Sequence, residues 1–247
     1  MDRQRLPLHI GIIMDGNGRW AQARGRSRSQ GHRAGSRAVR AVVRACRRLG
    51  IRNLTLYAFS AQNWGRPRDE VRLLMSLLEE FITREWQEIM RRDIRVVHLG
   101  ELRRVPPEVR TKLRALLRAS ARNRSMTLAL ALSYGAREEL ARAARRLAAA
   151  AAAGRVDPAA ISVPGVSRML YTAAMPDPDL IIRTGGEQRL SNFLLWQAAY
   201  AEFVFTDVLW PDFGEAELRA AIEDFQRRRR RFGLTDEQVA SAHRETR

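Results

Sequence analysis

Three segments of the sequence place charged and hydroxyl side chains directly after a short apolar run. The first run ends in Asp15 and continues as Gly16-Asn17-Gly18-Arg19. Glycines let backbone N–H groups approach phosphate oxygens, and an arginine can neutralise them. Asp15 could also hold Mg²⁺, which takes one or two protein carboxylates together with substrate phosphates. An ordinary strand-to-turn junction would give the same pattern, so this segment alone leaves both interpretations open.

The second segment follows the apolar run that ends at Phe59. Its polar and aromatic residues are Ser60, Gln62, Asn63, Trp64 and Arg66. Upstream, Arg28 and His32 lie four residues apart and would share one face if that stretch were helical. A capped loop with a packed Trp and a solvated polar turn are the plainer interpretations of these two clusters.

The third segment ends the apolar run Leu180–Arg183 and continues through two glycines to Arg189 and Ser191. Two guanidinium groups and a hydroxyl are suited to a second oxyanion, because the planar guanidinium matches phosphate oxygens. Two such segments in one chain predict a reaction between two diphosphates. Glu202 begins the next apolar run, where a lone carboxylate is more often structural or a surface charge.

Short apolar runs alternate with amphipathic stretches along the chain. The strand candidates are His9–Met14, Asn53–Phe59, Ile94–Leu99, Thr127–Leu132, Leu180–Arg183 and Glu202–Thr206. The helix candidates are Arg33–Leu49, Asp69–Arg91, Pro107–Asn123, Arg137–Ala153 and Glu215–Arg231. The alternation predicts an α/β fold, a single domain over residues 1–247 with a mainly parallel sheet flanked by helices. Ligands bind such sheets beyond the carboxyl ends of the strands, the edge that the three segments share.

The net charge of +17 raises the question of a nucleic-acid partner. Lys112 is the only lysine among 44 basic residues, which is typical of a composition bias towards arginine. The arginines are scattered over every helix and are not interleaved with aromatics on one face, so we expect no nucleic acid. The single Cys46 and the lack of an apolar run near the ~20 residues of a bilayer span predict a cytoplasmic protein.

Four segments, in order, resemble the cis-prenyltransferases, and among them most closely the bacterial undecaprenyl diphosphate synthases, or isoprenyl transferases. The segments are Met14–Trp20, Ser60–Pro67, Arg183–Trp196 and Trp210–Phe213. The resemblance runs from about residue 9 to residue 233. It implies a six-stranded central sheet, a hydrophobic tunnel between helices, and a Mg²⁺-dependent transferase.

The activity implied by the resemblance is cis-prenyl chain elongation. Isopentenyl diphosphate would be added repeatedly to an allylic diphosphate, farnesyl diphosphate in the simplest case. The product would be a long polyprenyl diphosphate of undecaprenyl type, the lipid carrier for cell-wall glycan synthesis. The resemblance also implies a homodimer, and we expect contact with a membrane surface when the product is released.

The resemblance assigns roles residue by residue. Asp15 and Asn63 match catalytic positions, and Asp15 and Glu202 match metal-associated carboxylates. On the allylic side, the matching substrate-binding positions are Gly16, Asn17, Gly18, Arg19, Trp20, Arg28, His32, Ser60, Ala61, Gln62, Trp64 and Arg66. For isopentenyl diphosphate they are Arg183, Arg189 and Ser191, with Leu190 in the same stretch. Arg231-Phe232-Gly233 matches a C-terminal motif that reaches a neighbouring subunit's site.

The sequence departs from the family pattern at three positions. Gln62 stands where many relatives carry Glu, Gln188 where a His is frequent, and Ser133 where Asn is usual. The first change puts any proton-relay role of that position in doubt.

Two other classes of protein fit the sequence less well. Trans-type synthases use an Asp-Asp-x-x-Asp motif that is absent here, and a non-catalytic partner subunit would lose the Asp-Gly-Asn-Gly-Arg loop that this chain keeps.

Overall fold

The computed structural model describes residues 1–228, and these form one sheet with helices on both faces. The strands are β1 (His9–Ile13), β2 (Asn53–Ser60), β3 (Ile94–Leu99), β4 (Met126–Tyr134), β5 (Leu180–Arg183) and β6 (Glu202–Phe205). The helices are α1 (Asn17–Gln22), α2 (Arg28–Leu49), α3 (Arg68–Arg91), α4 (Pro107–Ala119), α5 (Ala136–Ala152), α6 (Val163–Ser167) and α7 (Glu215–Arg227).

The six strands are all parallel and lie in the order β3-β4-β2-β1-β5-β6. From β1 the chain first moves to β2 on one side, and it later returns to β5 on the other side of β1. The direction of winding therefore changes between β1 and β5. Ligands of open α/β sheets bind beyond the carboxyl ends of the strands at such a switch point.

The central strands are covered on both faces, which explains their continuous apolar runs. Every residue of β1 and of β5 is buried. One face packs against α2, α3, α4 and α7 through residues such as Val42, Ile82 and Leu113. The other face holds a separate core around Tyr134 and Phe193. The two cores fix the sheet rigidly, so the positions of its strand ends are well defined.

Local residues set where the two helices nearest the switch point begin. The Ser27 side chain accepts from the backbone of Gln30, whose side chain accepts in turn from the Ser27 backbone. This capping box starts α2 at Arg28, five residues before the predicted start at Arg33. The residues Asp69 and Glu70 lie in the first turn of α3, where carboxylates offset the helix dipole.

The predicted fold class is confirmed, with six strands where six were predicted and a sheet that is wholly parallel. The strands Ile94–Leu99 and Leu180–Arg183 have the predicted bounds, and the others shift by one or two residues at an end. Helices α1 and α6 were not predicted, because six and five residues are too short to show a helical period. The Arg231-Phe232-Gly233 motif lies outside the described residues.

Candidate active site

Three of the predicted segments meet at the carboxyl edge of the sheet. Ile13 at the end of β1 lies beside Arg183 at the end of β5, and Asp15 follows two residues later. Ser60 ends β2, the neighbour of β1 on its other side. Parallel strands thus bring to one place side chains that are up to 168 residues apart in sequence.

Arg183 joins the two predicted anion-binding groups. Its Nη2 donates to Oδ2 of Asp15 at 2.9 Å, and its Nη1 donates to Oγ of Ser191 at 2.7 Å and to the backbone oxygen of Arg189. The Arg183 side chain is only 4% exposed, whereas that of Asp15 is 34% exposed. Arg19 approaches the other oxygen of Asp15 at 3.4 Å. The carboxylate therefore lies between two guanidinium groups and still faces open space.

Close backbone contact shapes the segment after β1. Gly16 has φ of +111°, and a Cβ there would lie 2.9 Å from a Leu209 methyl carbon. Gly31 and Gly35 on α2 face the next residue, Asn17. A Cβ at Gly31 would be 2.2 Å from the Asn17 backbone oxygen, and one at Gly35 would be 2.1 Å from Oδ1 of Asn17. Only glycines let α2 lie this close to the segment.

Arg28, His32 and Arg66 all contact Glu70. The contacts with the Glu70 carboxylate measure 3.2 Å for Arg28, 2.9 Å for Arg66 and 3.6 Å for His32 Nε2. Burial lowers the pKa of His32, and the nearby Glu70 carboxylate offsets part of that shift. We call Asp15–Arg19, with Arg28, His32 and Arg66, the first anion site. Its cations surround one acid and face the same space as Asp15.

Arg183, Arg189 and Ser191 form the second anion site. The Arg189 side chain is 62% exposed and pairs with Glu187. Ser191 is exposed and adopts a φ of +49°, a conformation that few residues other than glycine take up. Leu190 is partly buried and packs at the edge of the core around Phe193. This site is open to solvent, with one fixed guanidinium and one exposed guanidinium.

The segment after β2 is a short 3₁₀ turn, Ala61–Gly65, held by its own capping box. The Ser60 hydroxyl accepts from the Asn63 backbone, and Oδ1 of Asn63 accepts from the Ser60 backbone. This reciprocal pair fixes Asn63 at the first anion site. The side chains of Gln62 and Trp64 point away from this site, Gln62 to Glu138 in the first turn of α5 and Trp64 to Ser133 near the end of β4.

A cavity of about 480 Å³ opens from the first anion site and runs between α2, α3 and the sheet. Such a volume is within the range of ~300–1,000 Å³ for small-molecule sites. Its charged end includes Asp15, Arg19, Arg28, His32, Arg66 and Glu70. Its apolar end is lined by Val39, Leu56, Ala58, Leu74, Leu77, Leu78, Phe81 and Leu130. One end of the cavity thus suits a charged group, and the other end suits an apolar chain attached to that group. It lies where the tunnel was expected, and its extension into a full tunnel stays a prediction.

Two further predicted residues, Trp20 and Glu202, lie away from the cavity in the described part of the chain. The Trp20 indole is buried, donates to Asp212 at 2.6 Å and is covered by Arg24, so it does not line the cavity. Glu202 begins β6 and pairs with Arg228 at 2.9 Å. Since β6 runs parallel to β5, Glu202 lies beside Leu180 at the amino edge of the sheet, opposite to Asp15.

No group of three or more His, Cys, Asp and Glu side chains within residues 1–228 could hold a metal ion by itself. Asp15 nevertheless suits Mg²⁺ in another way. Its partly exposed carboxylate faces the cavity, and Mg²⁺ is commonly held by one or two carboxylates together with substrate phosphates. The donor set therefore fits a magnesium ion that arrives with a diphosphate.

Four residues at the site were not singled out from the sequence. Glu70 is one, although its position four residues after Arg66 is the spacing of an ion pair on a helix. Thr184 donates to the Asp15 backbone oxygen at 2.7 Å. Asn192 follows Ser191 in the same motif and accepts from the first turn of α5. Glu138 gives no sequence signal, because only the fold brings α5 to the site.

The fold and the site together define an α/β protein with two groups of cationic and hydroxyl side chains side by side at the carboxyl edge of its sheet and an apolar cavity next to the first. A sequence model described as "Putative undecaprenyl diphosphate synthase" matches residues 13–233. The chain therefore belongs to the undecaprenyl diphosphate synthase family of cis-prenyltransferases, and it is a transferase.

Individual relatives agree with this membership. An isoprenyl transferase of Porphyromonas gingivalis is 50% identical over 235 residues, which cover 95% of this chain and 92% of that protein. The ditrans,polycis-undecaprenyl-diphosphate synthase ((2E,6E)-farnesyl-diphosphate specific) of Xanthomonas axonopodis pv. citri is 48% identical, covering 95% of this chain and 91% of that protein. The crystal structure of lavandulyl diphosphate synthase from Lavandula x intermedia in complex with dimethylallyl diphosphate matches with a TM-score of 0.91 at 37% identity. That match covers 93% of this chain and 99% of that one.

Proposed function

We propose that this enzyme adds isopentenyl diphosphate repeatedly to an allylic diphosphate, farnesyl diphosphate in the simplest case, and makes a cis-polyprenyl diphosphate of undecaprenyl type. The product would serve as the lipid carrier for cell-wall glycan synthesis. One observation carries the proposal: a buried arginine, Arg183, links two anion sites, and the first of them opens into an apolar cavity.

The first anion site receives the allylic diphosphate. Arg19, Arg28 and Arg66 supply positive charge, and the backbone of Gly16 to Gly18 can come close to the phosphate oxygens. The hydrocarbon part of the same substrate then lies in the apolar end of the cavity. Glu70 keeps the cations oriented in the absence of substrate, and contact with the diphosphate replaces part of its contact with them.

The Asp15 carboxylate would hold Mg²⁺ together with the diphosphate oxygens. When bound, the ion would stabilise the negative charge that develops as the diphosphate leaves. Asp15 is itself kept in position by Arg183 and by the hydrogen bonds that the Thr184 hydroxyl and the Trp210 backbone N–H donate to its carbonyl oxygen. Preorganised charge of this kind is commonly the largest contribution to catalysis.

The second anion site receives isopentenyl diphosphate through Arg183, Arg189 and Ser191. The double bond of isopentenyl diphosphate attacks the allylic carbon of the other substrate. The bond from that carbon to its diphosphate breaks at the same time, and the adduct then loses a proton. Asn63, fixed by Ser60, lies where it can orient the diphosphate groups for this step. Each cycle lengthens the chain in the cavity by one five-carbon unit.

The proposal extends to assembly and location. A homodimer is proposed because the family motif Arg231-Phe232-Gly233 is complete in the sequence. A second copy would also offer a route for Glu202, at the far edge of the sheet, to reach a metal site. No helix among residues 1–228 has the length and apolar character to span a bilayer. We place the reaction in the cytoplasm, with contact to the membrane surface when the product leaves.

Product analysis tests the proposed function. The protein is incubated with farnesyl diphosphate, labelled isopentenyl diphosphate and Mg²⁺, and the dephosphorylated products are sized by mass spectrometry. A series of products that grows by five carbons towards undecaprenyl length is expected, and EDTA should abolish it. A single condensation product, or activity that persists without a divalent metal, would refute it. Light scattering of the same sample should show a dimer.

A further inference from the structure

The segments after β2 and after β5 carry residues of different anion sites, and both contact the start of α5. From the first segment, Gln62 donates to Oε1 of Glu138 at 3.0 Å. From the second, Asn192 donates to Oε2 of the same carboxylate at 2.8 Å. One side chain on α5 thus accepts from both segments, one oxygen for each.

The geometry around Asn192 fixes the direction of these hydrogen bonds. Its Oδ1 accepts from the backbone of Arg137 at 2.9 Å, and its backbone oxygen accepts from Ala136 at the same distance. These N–H groups belong to the first turn of α5 and have no partner within the helix. With Oδ1 used in this way, the Nδ2 of Asn192 must face Glu138, whose ionised carboxylate can only accept.

The backbone is shaped for this arrangement. A Cβ at Gly135 would lie 2.1 Å from Oε2 of Glu138 and 2.6 Å from Nδ2 of Asn192. The Glu138 side chain therefore folds back over a glycine that precedes its own helix. Ser133, Ser191 and Asn192 all have φ between 49° and 64°. Residues other than glycine rarely adopt this conformation, and it concentrates at functional sites.

Three further hydrogen bonds connect β2 and the turn after it to the end of β4 and to the segment after β5. Trp64 donates to Oγ of Ser133 at 2.9 Å, and the Tyr57 hydroxyl lies 3.3 Å from the backbone oxygens of both Tyr134 and Ser191. None of these three hydrogen bonds involves a charged group. Among the described residues, the Glu138 carboxylate is therefore the ionised group that contacts both the segment after β2 and the segment after β5.

We propose that Glu138 is a positioning residue that holds the two anion sites at a fixed separation, through Gln62 on one side and Asn192 on the other. The proposal rests on the proposed function, because it concerns the distance between the two diphosphates. It also explains the amide at position 62. A glutamate there would face Glu138 with a like charge and no donor, so this chain needs a residue that donates.

A charge exchange tests the proposal. In Gln62→Glu the two carboxylates repel, so the sites separate although each remains intact. We expect kcat to fall roughly tenfold, since small misplacement of reacting groups is costly. The KM values of isopentenyl and farnesyl diphosphate should each stay within about a factor of two, because each site keeps its own ligands.

The double variant Gln62→Glu/Glu138→Gln should restore kcat to near the parent value. The amide introduced on α5 can donate to the new carboxylate while its oxygen accepts from Asn192, so all the contacts are remade with the charge moved. Glu108→Gln is the matched control. It removes one exposed charge from the first turn of α4, as Glu138→Gln does from α5, and should leave kcat unchanged.

The outcomes separate the two levels of the argument. A parent protein that makes no elongated product would refute the proposed function. An active parent with a double variant no faster than Gln62→Glu would refute the role of Glu138. Unchanged kcat in Gln62→Glu would refute it too, as would a loss confined to the KM of one substrate.

Discussion

The two anion sites differ in how their cations are held. In the first site, Arg28, His32 and Arg66 surround Glu70 at the mouth of the cavity. In the second, Arg183 is almost completely buried, and Arg189 extends into solvent beside Glu187. The first site is therefore a set of paired charges that a ligand must rearrange. The second is one fixed charge with an exposed charge next to it.

This difference suggests different tasks for the two sites. A site that opens into an apolar cavity can keep a growing chain between cycles, and a site open to solvent can exchange a small substrate in each cycle. Arg183 belongs to both, because it contacts Asp15 as well as Ser191. Substitutions should therefore fall into three groups, those that affect both sites, those that affect one, and those that affect only the cavity.

Asp15→Ala should have the largest effect, because Asp15 is the carboxylate proposed to hold the metal and lies between Arg19 and Arg183. Loss of preorganised charge at a reacting group costs ~10²–10³ in rate or more, so turnover should drop by about a thousandfold. Because Asp15 is partly exposed, the melting temperature should change little. Near-normal turnover in the folded variant would contradict the assignment.

Arg183→Ala and Arg189→Ala sharpen the comparison within the second site. A charge-assisted hydrogen bond contributes roughly 1.5–3 kcal/mol, or about ten- to a hundredfold. Arg189→Ala should raise the KM of isopentenyl diphosphate about tenfold and leave the KM of the allylic substrate almost unchanged. Arg183→Ala should raise the KM of isopentenyl diphosphate about a hundredfold. It should also lower kcat, since Asp15 loses its buried partner. Weakened binding of the allylic substrate in Arg189→Ala would mean that the two sites are reversed.

The pH dependence of the two KM values should differ, since the first site contains His32 and the second has Gln188 in place of an imidazole. Burial lowers the pKa of His32 from its usual value of 6.5, so it is neutral in the free protein near neutral pH. A bound diphosphate favours the protonated form, and acidification therefore strengthens allylic binding. From about pH 8 to about pH 6, the ratio of the isopentenyl to the allylic KM should rise a few-fold.

The ratio cancels the ionisation of the diphosphate itself, which is common to both substrates. His32→Asn should make the ratio independent of pH. The same rise on acidification in the parent and in this variant would show that His32 does not contact the allylic diphosphate.

Substitutions that change product length should have the smallest effect on the kinetic constants, because they alter the cavity and neither anion site. Ala58 lines the cavity, and Ala58→Leu should shift products shorter by narrowing it at comparable kcat and an unchanged isopentenyl KM. Met126 is buried at the start of β4 but is not among the residues that line the cavity. Met126→Ala should therefore lengthen products only slightly and broaden their distribution. Mass analysis of dephosphorylated products measures both shifts, and unchanged lengths in Ala58→Leu would show that Ala58 does not contact the chain.

Much of the fold could be predicted because apolar runs mark the strands and helical periods mark the long helices. The shared edge of Asp15, Ser60 and Arg183 followed from the rule on carboxyl ends alone. The position of Glu202 could have been read in the same way. It opens its predicted strand and does not close it, so it belongs to the amino edge of the sheet, and the structure places it there.

The unpredicted features depend on contacts between segments that are distant in sequence. Glu70 contacts Arg28 and His32 of α2 and Arg66 of the turn between β2 and α3, and Glu138 accepts from two segments that are more than a hundred residues apart. Neither set of contacts follows a helical period or a fixed spacing, so the sequence alone does not show which residues meet. Trp20 was assigned to substrate binding by its motif, although its indole contributes to packing against Asp212.

The glycines of α2 have a mechanical consequence for a cavity that must enlarge as its contents grow. At Gly31 the backbone of α2 lies against the backbone oxygen of Asn17, and at Gly35 it lies against the side-chain oxygen of the same residue, so this wall is tightly packed and has little room to shift. The opposite wall, α3, is connected to α2 through ion pairs such as Arg40 with Glu85 at 2.5 Å, which long side chains can maintain over a range of separations. Expansion should therefore be one-sided, with α3 moving outwards while α2 keeps the diphosphate in place.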